Sequence, residues 1–263
     1  MIFRFLRQVV LFSSVLAGLA FVGASNTNFE QAHVLLQNLG KDRIRSTSDP
    51  SARAGLAEDV KSVPAMVQRL INKGIVDSLN SQTPPPADDL EHELKTTLQV
   101  GLPELGNESE AFVSPLRRQG GPSYVIAYNV AFCAACSRSW IGVAARRKDQ
   151  FEIVASLDDP LPNQSLTLIP LSADADGDRF LVYGTVWGDA HTRMNVVAYH
   201  YDRSKLKAIW SRTGLPSGKL HANSGEVTLT FLSAIRPTVK ERTEVYLVTS
   251  KGIQLDRFSE HQE

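Results

Sequence analysis

From about Glu110 onward the chain changes period. Runs such as "YVIAYNVAF", "SWIGVAAR", "FEIVASL", "SLTLIPLSA", "RFLVYGTVW", "NVVAYHY", "KLKAIWS", "EVTLTFLSA", "TEVYLVTS" and "GIQLDRF" are short, alternating, and rich in β-branched and aromatic residues. Turn chemistry separates them, as in "ARRKDQ", "DADGD", "YDRSK" and "TSKG". In an extended strand successive side chains point to opposite faces, so this pattern suits strands and would scatter an apolar set around a helix. It predicts an antiparallel all-β domain of about ten to twelve strands at ordinary strand length.

The runs also repeat. With Tyr124 laid on Phe180 and again on Val227, each unit reads long strand, loop, strand, tight turn, strand, with a further strand ahead of it. Three four-strand-like units are visible, the form of a β-propeller blade, although closed propellers use about four or more blades. The expected architecture is a partial propeller, or else a sandwich or open meander.

Before Thr83 the period is helical. "NFEQAHVLLQNLG" sets Phe29, Ala32, Leu35, Leu36 and Leu39 on one face with Gly40 as a stop, and "KDRIRSTSDPSARAG" reads as a loop. "SVPAMVQRLINKG" offers Ser62 as N-cap, Pro64 in the first turn and Gly74 as terminator, with a short helix continuing from it. After the spacer "TPPPA", a last helix carries Leu90, Leu94 and Leu98 on one stripe. The fold class is therefore α+β: a helical appendage over residues 25–109, then the β-rich domain over 110–263. The helices are too short to make a core of their own and are expected to pack on the β domain.

Residues 1–24 have the outline of a secretory signal peptide: Arg4 and Arg7, an apolar run, and the small-residue ending Val22-Gly23-Ala24. Cleavage there leaves Ser25 first, a retained anchor being the alternative. The expected location is periplasmic or secreted, with no membrane insertion after cleavage. A formal net charge of +0 gives no pull toward nucleic acid.

"SADADGDRFLVYG" resembles the acidic turn and following strand of FG-GAP and VCBS-type propeller repeats. Asp174, Asp176, Gly177 and Asp178 match, while Arg179 and Phe180 stand where that family has a second glycine and a further aspartate. The resemblance implies a repeat architecture and a weak calcium site at Asp174, Asp176 and Asp178. An Asp-Gly hairpin turn accounts for the same residues without metal.

The two cysteines, Cys133 and Cys136, form a CxxC after an apolar run. In an exported chain such a pair is expected to oxidise to a disulfide closing a strand-to-strand loop. A redox centre needs a helix at the motif to stabilise a thiolate, and "SRSWIGVAARR" alternates instead. One CxxC supplies two of the four ligands zinc takes, and no histidine pair has ligand spacing. GxSxG, HExxH, P-loop and GxGxxG signatures are missing, so a catalytic site in this chain would have to be assembled from distant positions. If the units are blade-like, the loops "CAACSRS", "GDAHTRM" and "IRPTVKER" share one face. That face would carry Arg138, His191, Arg193, Arg236, Lys240 and Arg242 with Trp140 and Trp187 at its base, a composition suited to recognition. The sequence thus points to an exported, non-enzymatic binding module for a protein or carbohydrate, oligomeric or not, with a thiol-disulfide oxidoreductase using Cys133 and Cys136 as the alternative.

Overall fold

A computed structural model describes residues 27–48, 50–99, 109–116, 121–133, 136–158, 160–161, 165–174, 177–187, 192–235 and 238–262. Three helices come first: α1 (Thr27–Ser48), α2 (Pro50–Leu79) and α3 (Ala87–Leu98). Twelve strands follow in three four-stranded antiparallel sheets. Sheet 1 holds β1 (Ala111–Pro115), β2 (Ser123–Cys133), β3 (Cys136–Arg147) and β4 (Gln150–Asp158). Sheet 2 holds β5 (Thr167–Asp174), β6 (Gly177–Trp187), β7 (Thr192–Tyr201) and β8 (Leu206–Pro216). Sheet 3 holds β9 (Lys219–Ala222), β10 (Glu226–Ile235), β11 (Thr238–Thr249) and β12 (Gly252–Gln262).

The helices are longer than local punctuation suggests. α1 passes through Gly40, Pro64 lies inside α2, and most of the expected loop over residues 41–55 is helical. A proline in a helix interior costs ~3 kcal/mol and a glycine ~1, but the packed face outweighs both. Phe29, Ala32 and Leu36 of α1 lie in one buried cluster with Val67, Ile71 and Ile75 of α2. Gly74 is a point of close approach and no terminator: a Cβ there would meet the Phe29 ring at 2.5 Å. In α3 the stripe Leu90, Leu94, Leu98 is buried, with Asp88 and Asp89 in the first turn where the helix dipole favours acids.

Each sheet is a meander in sequence order, and the sheets stack face to face in series. The helices cover the outward face of sheet 1, burying Ile126, Tyr128, Trp140 and Phe151. Its other face packs on sheet 2 through Val125, Ala127, Ile141 and Val143 against Phe180, Val182, Val197 and Tyr199. The far face of sheet 2 packs on sheet 3 through Leu181, Met194, Val196 and Ala198 against Val227, Leu229, Phe231 and Tyr246. Sheets 1 and 2 are therefore buried on both faces, which is why residues 125–130 and 194–199 are buried without interruption. The described sheets do not close into a propeller: helices occupy the face of sheet 1 on which a closing blade would pack.

Side-chain bonds tie the layers together. Asn80, the residue just past the end of α2, bonds both backbone groups of Phe151, accepting from its N–H at 2.7 Å and donating to its carbonyl at 2.9 Å. Glu91 of α3 accepts from the Val113 N–H at 2.9 Å, occupying a donor on edge strand β1. Between sheets 1 and 2, the Ser139 hydroxyl donates to the Leu161 carbonyl at 2.7 Å, and the Leu166 N–H donates to the Glu110 carboxylate.

That last bond also sets orientation. Glu110 and Leu166 stand 56 positions apart, the same offset that lays Tyr124 on Phe180, and each lies just ahead of the first strand of its sheet. β1 and β5 thus start at the same end. At the other end, Arg179 near the start of β6 donates to the carbonyls of Thr249 and Ser250 at the β11–β12 turn. The three meanders therefore run in the same sense.

Candidate functional site

Co-oriented meanders carry their equivalent hairpins to one end. The strand ends Cys133 and Cys136, Trp187 and Thr192, and Ile235 and Thr238 belong to the β2–β3, β6–β7 and β10–β11 hairpins, so all three project from the same end of the stack. The cationic residues expected there are distributed over different layers. Arg138 pairs in register with Val130, a residue of the helix-side core. Arg193 pairs with Val186 and is exposed. Lys240 lies 3.9 Å from Glu260. His191 and Arg236 lie outside the described residues, as does the side chain of Trp187.

Trp140 corrects the sequence reading. It is 1% exposed, inside the core between sheet 1 and the helices, and it stacks on Tyr128 at 5.1 Å. Gly142 makes room for the indole: a Cβ there would meet a Trp140 ring carbon at 2.1 Å. The polar stretch Ser137-Arg138-Ser139, which resembles a loop, is the start of β3. Trp140 is therefore no part of an exposed recognition surface. Neighbouring Tyr128 donates to Asn72 Oδ1 at 2.9 Å. Burial, helped by the charge of Asp158 and opposed by Arg138, pushes its hydroxyl well above the usual tyrosine value, so it stays a neutral donor.

Cys133 closes β2, Cys136 opens β3, and the two are register partners across the hairpin. Strand flanks the motif on both sides, so the helix a redox CxxC uses is not there. The cysteine side chains lie outside the described residues. Of the weak calcium candidates, Asp178 is 5% exposed, Asp176 is outside the described residues, and only the backbone of Asp174 is described. Among the described residues no group of three or more His, Cys, Asp or Glu is placed to hold a metal ion.

The densest polar constellation, which sequence reasoning missed, sits between sheets 2 and 3. Glu244 on β11 is 2% exposed. Its carboxylate accepts from Arg212 Nη2 at 2.9 and 2.7 Å, from Arg242 Nε at 2.8 Å and from the Tyr246 hydroxyl at 2.5 Å. Arg242 also reaches Glu260 at 3.2 Å. Arg212 lies over the Phe231 ring at 5.8 Å and Arg242 over Phe258 at 4.4 Å. Burial pushes the Glu244 carboxyl up, but the Tyr246 bond and the two guanidiniums overcome it and hold the group below its usual value. Burial and the Glu244 carboxylate push Tyr246 up to about 12. A carboxylate saturated by four donated bonds and held ionised is a poor proton acceptor for a substrate. Its chemistry is that of a clamp between layers. The sequence did hold one signal for it: Glu244 shares the inward register of Tyr246 and Val248, and a charge at a core-facing position requires a partner.

No helix among the described residues is long and apolar enough to cross a membrane. No family model and no curated protein matches this chain.

Proposed function

We propose that this protein is an exported, non-enzymatic binding module that engages a protein or carbohydrate partner through the end of the stack where the three equivalent hairpins project. The observation that carries this reading is the common sense of the meanders, which places Cys133/Cys136, Trp187/Thr192 and Ile235/Thr238 at one end. Hairpin ends held by a rigid stack are where binding residues concentrate. A photo-crosslinking residue at Arg193, in cells producing the protein, should capture a discrete partner, whereas the same residue at Lys148, in the exposed β3–β4 turn at the other end of the stack, should not. Equal capture at both positions, or none at Arg193, refutes the reading. Export is checked separately: the N-terminus of the chain recovered outside the cytosol should be Ser25.

Within this reading Cys133 and Cys136 form a disulfide that shapes the first hairpin. Directly opposed residues of an antiparallel pair have Cα atoms ~4.5–5.5 Å apart, inside the range a disulfide spans. So small a ring should contribute about 2 kcal/mol or less. Insulin-reducing activity lost in Cys133→Ser would favour the oxidoreductase alternative instead.

A further inference from the structure

We propose that β12 is a self-complementary edge through which two copies of this chain pair antiparallel, about a two-fold axis passing between Asp256 and Arg257. β12 is the outermost strand of sheet 3 and 11 residues long, paired on its β11 side. An edge of that length is a template for another strand. Two of its three large apolar side chains remain exposed, Leu255 at 49% and Phe258 at 57%, while Ile253 packs against the core between sheets 2 and 3.

Self-complementarity lies in the order Leu255-Asp256-Arg257-Phe258. When identical strands pair antiparallel about this axis, Asp256 opposes Arg257 of the second copy and Leu255 opposes its Phe258, and the symmetry makes each relation occur twice. A register shifted by one residue either way sets Asp256 against Asp256, or Arg257 against Arg257, and like charges directly opposed are unfavourable. The charges therefore select one register.

The bulge in β12 completes the match. Tyr246 pairs with Leu255 and Val245 with Arg257, leaving Asp256 as the extra residue. Residues three apart in a regular strand point to opposite faces, but the extra residue returns Leu255 and Phe258 to one face, that of Tyr246 and Glu244. Arg257 takes the other face and is 62% exposed, holding Asp256 at 2.5 Å and Glu226 at 3.5 Å within its own chain. Pairing gathers two leucines and two phenylalanines on one side of the joined sheet and both cross-copy ion pairs on the other.

Sedimentation velocity of the full chain over a range of concentrations tests this. Wild type should show a reversible monomer–dimer equilibrium. Arg257→Asp should weaken dimerisation about tenfold or more, as two exposed ion pairs become two repulsions. The double change Asp256→Arg with Arg257→Asp should restore most of the loss, because the exchanged charges are again complementary across the axis. Phe258→Ser should weaken the dimer while melting temperature and circular dichroism hold, since the ring is exposed. A wild type that is monomeric at every concentration overturns the proposal. So does a dimer indifferent to Arg257→Asp and Phe258→Ser, or one that the charge exchange fails to rescue.

Discussion

Sheets 1 and 3 share strand number, order and sense, yet their outward faces differ completely. The outward face of sheet 1 presents Val113, Ile126, Tyr128, Trp140 and Phe151, all buried under the helices. By register the outward face of sheet 3 presents Lys219, His221, Thr228, Thr230, Glu241, Thr243, Arg257 and Ser259, with the apolar Leu232, Val239, Val245 and Leu247 scattered among them. Only Val245 of these is buried, in the central strand between Thr228 and Arg257. Alternation in a strand lets the two faces be set independently. A stack can thus hold the same topology throughout while one terminal sheet demands a cover and the other is finished with polar side chains, as the ends of repeat arrays are. A third face of the same kind as those between the sheets would have called for another blade. Threonines at Thr228, Thr230 and Thr243 instead let the array stop.

The largest effect expected from this contrast is on removing the helices. A chain beginning at residue 109 exposes Tyr128, Trp140, Ile126 and Phe151 together, an apolar face large enough to drive aggregation. It should be insoluble or lack cooperative unfolding by circular dichroism. A soluble, cooperatively folded fragment would show that the helices are an accessory.

Next in size is Trp140→Ala, which keeps the cover but empties its centre. The indole is 1% exposed, so the change should cost ~3–5 kcal/mol in chemical denaturation. A cost near that of a surface substitution would return Trp140 to the exposed role that the sequence suggested. Gly142→Ala probes the same site from below and should cost ~1–3 kcal/mol, because its methyl must displace the ring.

Much of this was legible beforehand and some was not, for identifiable reasons. Each alternating run became a strand, because alternation beside turn residues is a local signal. β1 and β9, expected only as a further strand ahead of each unit, were not located along the chain, since "AFVSP" and "KLHA" are too short to establish a period. Gly40, Pro64 and Gly74 misled because their breaker tendency is local, whereas the helices persist through tertiary burial. Trp140 misled because Ser137, Arg138 and Ser139 look like a surface connection, and only the pairing with Ala131, Val130 and Asn129 shows them to be strand. The Glu244 clamp draws Arg212 from 32 residues away, a relation that no local pattern carries.

The clamp supplies the third test, at the layer between sheets 2 and 3. Glu244→Gln leaves two guanidiniums facing a neutral amide and should cost ~2–3 kcal/mol, less than a fully buried pair because Arg212 and Arg242 are partly exposed. The same group gives a pH dependence. Its carboxyl is held below the ordinary 4.5, so its stabilisation is present above that value and is lost as pH falls through the lower folded one. Hydrogen exchange at acid pH should therefore show β10–β12 opening before β1–β4. Equal protection of the two sheets, or Glu244→Gln retaining the acid sensitivity of wild type, would remove the clamp from the account.

The smallest effect separates the two outward faces most directly. Thr230 and Thr243 face each other on sheet 3 with hydroxyls 3.2 Å apart, half-buried. Thr230→Lys adds a long polar side chain to a face already carrying Lys219 and Arg257, and its head can remain in water while its stem lies along the sheet. Lys219 stands directly opposite Thr230 on β9, and two like charges on a solvent-facing pair should cost about 1 kcal/mol or less. Ile126→Lys, on the corresponding central position of sheet 1, places an ammonium in the helix-covered core and should prevent stable folding. If Thr230→Lys were as disruptive as Ile126→Lys, something must cover the third sheet, and the stack would not end there.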